Sequence, residues 1–366
     1  MRRLFSLVLI LAVFLTSCSV GIDPSNNGNP VVETEISTKT EILEIAVLPT
    51  ITPSQVASPT ATFTPTPEPH PMDIRAMQAG TYPGSDIVIE EELPSGGNYH
   101  RYYASYLSEG LKIYALLTIP FGEIPAGGWP AIVFNHGYIP PEQYRTTERY
   151  IAYVDRLALS GYVVFRIDYR GHDRSEGEPT GAYGDPGYTI DVLNAVSSLQ
   201  RHPQVNPDKI GMWGHSLGGF LTLRAMVISD QIKAGVIWAG VIGSYPDLLY
   251  NWRRSSGFVA PTPRPGSRRW REYWIELYGT PEENPQFWNS VSANSFLADL
   301  SGPLQLHHGT ADTSVPLEFS QTLYDQIQSA GGEVEFYTYE WDDHNLGNYF
   351  STAMYRTIEF YDSYFK

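Results

Sequence analysis

The chain has 366 residues, with 24 Lys and Arg against 40 Asp and Glu, a formal net charge of −16 and a single cysteine, Cys18. That balance argues against nucleic acid as a partner and against an electrostatic hold on anionic lipid, since both need a cationic face. One cysteine excludes an intramolecular disulfide, so the fold must stand on its own hydrophobic core.

The N-terminus opens with Met1-Arg2-Arg3, followed by an almost wholly apolar run over residues 4–15. The run is too short to span a bilayer comfortably but suits the core of a signal peptide. It ends in Leu15-Thr16-Ser17-Cys18, which resembles a bacterial lipobox, and the lone cysteine falls where lipidation would occur. Residues 1–17 are therefore expected to be a lipoprotein signal peptide and Cys18 the lipidated residue. The protein would be exported to the cell surface, with membrane contact through the lipid anchor only. Residues 18–72 are rich in Ser, Thr, Pro and Asn, cannot bury enough apolar area to offset ordering entropy, and read as a tether. Residues 41–48 are a short candidate for structure within it.

From residue 73 onward, apolar runs of strand length alternate with helical periodicity. Strands are expected at 111–119, 131–135, 162–169, 234–239, 303–307 and 334–339. Helices are expected at 148–160, 188–202, 317–330 and 349–365, with Gly161 closing the first and Pro203 lying beyond the second. Another strand runs through Ile210 and Met212 into Gly214-His215-Ser216-Leu217-Gly218-Gly219, and a helix follows. Apolar strands separated by helices imply a mainly parallel sheet covered on both faces, an α/β domain over residues 73–366.

In such a sheet, reactive groups gather beyond the carboxyl ends of the strands. A serine hydroxyl is a poor nucleophile unless held exposed beside a base and oxyanion donors. A serine flanked by glycines two before and two after, on a strand-to-helix turn, meets that need, which points to Ser216. Asp312, in His308-Gly309-Thr310-Ala311-Asp312 after a strand, offers the acid, and His344, in Trp341-Asp342-Asp343-His344-Asn345 after the last strand, offers the base. The order Ser216, Asp312, His344 is the nucleophile–acid–base order of α/β hydrolases. Asp342 and Asp343 are rival acids, but they lie too near His344 in sequence to orient it from the next loop and are expected to shape its own loop. The oxyanion donors are expected to be the backbone N–H groups of Leu217 and, from Asn135-His136-Gly137-Tyr138, of Tyr138. His136 is expected to be structural or to line the pocket. No phosphate-binding glycine loop appears and His307-His308 lacks a second ligand cluster, so neither a cofactor nor a metal is expected.

The Gly214–Gly219 elbow, the Asp312 turn ending in Val315-Pro316, and His344 resemble the catalytic domain of the prolyl oligopeptidase family. Asp168-Tyr169-Arg170-Gly171-His172-Asp173-Arg174-Ser175 resembles the Asp-x-Arg-Gly-x-Gly-x-Ser loop of many α/β hydrolases, with Asp173 where glycine is usual. The resemblance covers about residues 100–366 and implies the α/β-hydrolase fold and acyl-enzyme chemistry. Dienelactone-hydrolase-like and acetyl-esterase-like proteins share most of these motifs. Family members usually carry a β-propeller that screens substrates by size; the segment ahead of this domain is far too short for one, so a peptidase built this way would lack that gate.

Residues 244–296 form an insertion between strands, rich in aromatics that include Trp252 and Trp274. They are either a packed cap or a lid that forms a substrate pocket. Arg253, Arg254, Arg264, Arg268, Arg269 and Arg271 lie in the same insertion, and one could clamp a substrate carboxylate. Three functions compete: a serine peptidase on short peptides, a carboxylesterase on acyl or carbohydrate esters, and a non-catalytic surface binding lipoprotein. The presence of all three triad members argues against the last.

Overall fold

The structure, a computed structural model, describes residues 68–252 and 270–366. The signal segment, Cys18, nearly all of the tether, and Arg253, Arg254, Arg264, Arg268 and Arg269 lie outside the described residues.

Nine strands form one sheet: β1 (Val88–Leu93), β2 (Tyr99–Ser108), β3 (Leu111–Pro120), β4 (Trp129–Asn135), β5 (Val163–Ile167), β6 (Val205–His215), β7 (Ala234–Trp238), β8 (Leu304–Gly309) and β9 (Val334–Tyr339). Their spatial order is β1-β2-β3-β5-β4-β6-β7-β8-β9. The leading strands pair antiparallel through β3–β5, and every pairing from β5 to β9 is parallel. The helices are α1 (Ile74–Gln78), α2 (Ile151–Leu159), α3 (Gly187–Gln200), α4 (Leu217–Ile228), α5 (Tyr245–Tyr250), α6 (Trp270–Tyr278), α7 (Pro285–Val291), α8 (Leu317–Ser329) and α9 (Phe350–Phe365), with a 3₁₀ turn at Ala293–Asp299. This is the α/β-hydrolase fold expected from the sequence.

Strand periodicity splits the core into two layers. In β4, Ala131 and Val133 join the layer beneath α3, α4 and α8, whereas Ile132 and Phe134 face the layer beneath α2 and α9. Because both faces are covered, the strands read as continuous apolar runs, which is why periodicity located them. Every residue of α4 is buried, so this helix lies at the centre of its layer.

β1 and β2 were not among the expected strands, most element ends differ by a residue or two, and two boundaries shift further. The helix read from residue 148 begins at Ile151, because Arg149 and Tyr150 take left-handed φ values of 57° and 48°. The packed domain also reaches back into the segment read as tether. Met72 is fully buried, its carbonyl accepts from Nη2 of Arg224 at 2.8 Å, and His70 meets the Trp274 ring edge-on at 4.7 Å. Among the described residues, no helix is long and apolar enough to cross a membrane.

Candidate active site

Ser216 is the single residue between β6 and α4, and it is strained there, at φ 55° and ψ −116°. Its N–H donates to the Trp238 carbonyl at 3.0 Å and its carbonyl accepts from Val241 at 3.0 Å, so the neighbouring strand's end grips the turn on both sides. The flanking glycines are required by space. A Cβ on Gly214 would strike the Gly218 carbonyl and the Thr222 hydroxyl, and one on Gly218 would run into the Asn135 carbonyl. The elbow is pressed onto the end of β4, which places the loop 136–138 beside Ser216. A Cβ on Gly137 would lie 3.3 Å from that of Ser216.

The Gly137 N–H is already used, donating to Oη of Tyr150 at 2.9 Å, while the Tyr138 N–H has no intramolecular partner among the described residues. Leu217 is the first residue of α4, so no helical carbonyl lies four residues behind its N–H. These are the two backbone donors that the sequence nominates for an oxyanion.

Parallel pairing of β8 with β9, up to Gly309 opposite Tyr339, sets the Asp312 turn beside the His344 loop. His344 Nδ1 donates to Asp312 Oδ2 at 2.7 Å. The same oxygen is 3.1 Å from Nε2 of buried His308, and Oδ1 accepts the N–H groups of Ser314 and Val315 at 2.7 and 3.0 Å. Burial pulls the Asp312 carboxyl upward, but hydrogen bonds from His308 and His344 outweigh it and hold it well below the usual carboxylate range. An aspartate so held stays ionised, fixes the His344 tautomer and leaves Nε2 as the basic nitrogen.

Asp342 shapes the loop, as expected. Its buried carboxylate accepts from the backbone of Asp343, Asn348 and Tyr349 and from the Asn348 amide, at 3.0–3.2 Å. Asp173, at the usual glycine position, sits at φ 47° and offsets that conformation with bonds from the Tyr103 hydroxyl and from Thr146.

The nominated pocket residues separate. Trp252, half-buried, donates Nε1–H to the Ser314 carbonyl at 2.9 Å, which ties the insertion to the Asp312 turn. Trp274 is only 2 % exposed, stacked with Tyr245 at 5.3 Å and ringed by Trp270, Phe287 and Trp288. It is a core residue of the insertion rather than an exposed lining side chain; aromatic content alone does not distinguish a packed cap from a lid. His136 is fully buried between the rings of Tyr144 and Tyr169, at 4.4 and 4.3 Å. Arg271 spends its guanidinium on the Leu248 carbonyl.

Of three site neighbours, His215 and Tyr150 were not singled out from sequence, and His308 only as half of a metal pair without partners. His308 stands four residues before Asp312 and His215 directly before Ser216, so nearness to the motifs could have flagged both. Tyr150 carries no local signal.

The prolyl oligopeptidase family model matches residues 149–366, more than half of the chain, a span that contains Ser216, Asp312 and His344. The chain belongs to the prolyl oligopeptidase family. Membership makes it a serine hydrolase. Over 255 residues it is 28% identical to the uncharacterized peptidase YtmA of Bacillus subtilis, covering 69% of this chain and 90% of that one. In structure it is similar to dipeptidyl peptidase 4 of Porphyromonas gingivalis, with TM-score 0.56, 22% identity, 73% of this chain and 36% of the other. It is also similar to an acetyl xylan esterase from Paenibacillus sp. R4, with TM-score 0.59, 17% identity, 78% of this chain and 91% of the other. At those identities the solved structures speak for the fold alone.

Proposed function

We propose that this prolyl oligopeptidase family member is a serine peptidase that cleaves short peptides through an acyl-enzyme. Ser216 attacks the scissile carbonyl, His344 Nε2 takes its proton and returns it to the leaving amine, and Asp312 orients the imidazole and supports its positive charge. The N–H groups of Leu217 and Tyr138 receive the oxyanion. The observation that carries this reading is the 2.7 Å bond from His344 to Asp312, joined to a strained serine elbow on the same edge of the sheet. Family membership and the peptidase relative that this chain matches over 90% of its length favour the amide substrate.

A carboxylesterase on acyl or carbohydrate esters is the second reading. What supports it is the site's chemistry, since a serine elbow with an Asp312–His344 pair acylates from an ester as well as from an amide. Both reactions use one acyl-enzyme, so a rate panel of aminoacyl anilides, dipeptides and short-chain esters separates them. Amide turnover is expected; good ester turnover with none on amides would make the protein an esterase. A fluorophosphonate should label the wild type and not Ser216→Ala, and equal labelling of both would overturn the site. We also propose that lipidated Cys18 tethers the domain at the cell surface. A Cys18→Ser protein should leave the membrane fraction, and its retention there would refute the anchor.

A further inference from the structure

Beneath the proposed triad, one unbranched chain of hydrogen bonds joins two loops that the mechanism needs in register. The Gly137 N–H donates to Oη of Tyr150 at 2.9 Å, and that hydroxyl lies 2.7 Å from Nδ1 of His215. Nε2 of His215 lies 2.9 Å from the carbonyl oxygen of His344. A carbonyl can only accept, so Nε2 carries the proton, Nδ1 is the acceptor, and Tyr150 must donate to it. His215 is fully buried, and burial, with His344 beside it, pushes it down to about 3, so it keeps a single ring N–H. Every donor and acceptor in the chain is then used once, with one polarity from the oxyanion loop to the histidine loop.

We propose that Tyr150 and His215 are positioning residues that set the oxyanion loop, through Gly137, against the backbone of His344. The inference rests on the triad and oxyanion assignments made above.

The surroundings fit a device that holds geometry. Arg149 and Tyr150 are two consecutive non-glycine residues at positive φ, a strained arrangement that persists only where neighbours over-determine it. Here the neighbour is buried Arg166, which donates to the carbonyls of Thr146, Glu148 and Arg149 and so clamps the turn that aims Tyr150 inward. The Tyr150 ring is packed edge-on against Phe134 at 5.5 Å and against His215 at 5.7 Å. The His215 ring in turn lies 4.6 Å from that of His344. His344 comes from β9, three strands from the β6 elbow, so its loop must reach across the sheet. The His215 bond fixes where that reach ends.

Tyr150→Phe keeps the ring packing and removes the relay atom. His215→Asn removes the far half and keeps the experiment decisive should the first variant fold poorly. Both are measured on a Ser216-dependent short-chain ester beside Tyr162→Phe, which removes a comparable phenol whose partner is Asp362 on α9. Each bridge variant should lower kcat roughly 10- to 100-fold with KM within about threefold. Affinity for phenylboronic acid, which mimics the tetrahedral adduct, should fall in parallel. The double variant should be no worse than the weaker single, because both break one chain. Tyr162→Phe should leave kcat unchanged. Wild-type kcat and boronate affinity in Tyr150→Phe, or additive losses in the double variant, would overturn the inference alone. Absence of Ser216-dependent turnover in the wild type would overturn it together with the triad.

Discussion

Asp312 and His344 lie 32 positions apart in the chain, yet Oδ2 of one and Nδ1 of the other meet at 2.7 Å. Neither loop alone would hold that contact. Asp312 is fixed by the Ser314 and Val315 N–H groups and by His308, and the His344 loop is wound around the buried Asp342 carboxylate. Asp312→Asn should therefore keep the fold while lowering kcat about 10⁴-fold, because the amide no longer enforces the tautomer with Nε2 as base. Steady-state rates on any Ser216-dependent substrate test this, and a loss under tenfold would remove Asp312 from the triad.

Acidification should weaken the fold from about pH 6.5 downward, the ordinary histidine pKa. Burial pushes His172 down to about 4 and His215 to about 3, and holds His136 and His307 well below the usual value. Below pH 6.5 the unfolded chain takes up protons that these sites refuse when folded, so stability falls as pH falls. Asp168, which burial raises to about 7, acts in the opposite sense, as does Asp191, but they are outnumbered. His307→Gln should flatten the slope of unfolding free energy between pH 6 and 5 by up to about 1.4 kcal/mol per pH unit. An unchanged slope in urea titrations would contradict this account.

Gly218→Ala tests the elbow by space rather than chemistry. The added methyl meets the Asn135 carbonyl, which is backbone and cannot swing away. We expect at least about 2–3 kcal/mol of destabilisation and loss of fluorophosphonate labelling, since α4 must lift from β4. A urea midpoint equal to wild type would show that the elbow is looser than its contacts indicate.

Arg224 is buried in α4 and donates to the carbonyls of Val291 and Met72 at 2.7 and 2.8 Å, joining the insertion and the leading segment to the nucleophile helix. Arg224→Met should cost about 2–4 kcal/mol by leaving both carbonyls without that donor. Limited proteolysis should then cut ahead of α1 faster than in the wild type. Equal cleavage rates would show that Met72 is held by packing alone.

Sequence by itself determined the sheet from β3 to β9, the helices that cover it and the order of Ser216, Asp312 and His344, because those follow from local periodicity and from motifs only a few residues long; β1, β2 and the short helices carried too weak a pattern to be read. It also settled the need for Gly214 and Gly218, since a serine elbow requires them whatever surrounds it. Tertiary structure decided the rest. That Trp274 is core, that residues 70–72 already belong to the domain, and that Tyr150 reaches His215 depend on which distant segments the strand order brings together. The Tyr150–His215 and His215–His344 bonds span 65 and 129 positions of chain. A tyrosine in a turn and a histidine before a serine carry no local mark of such a bond; it exists only once β4, β6 and β9 end on the same edge of the sheet.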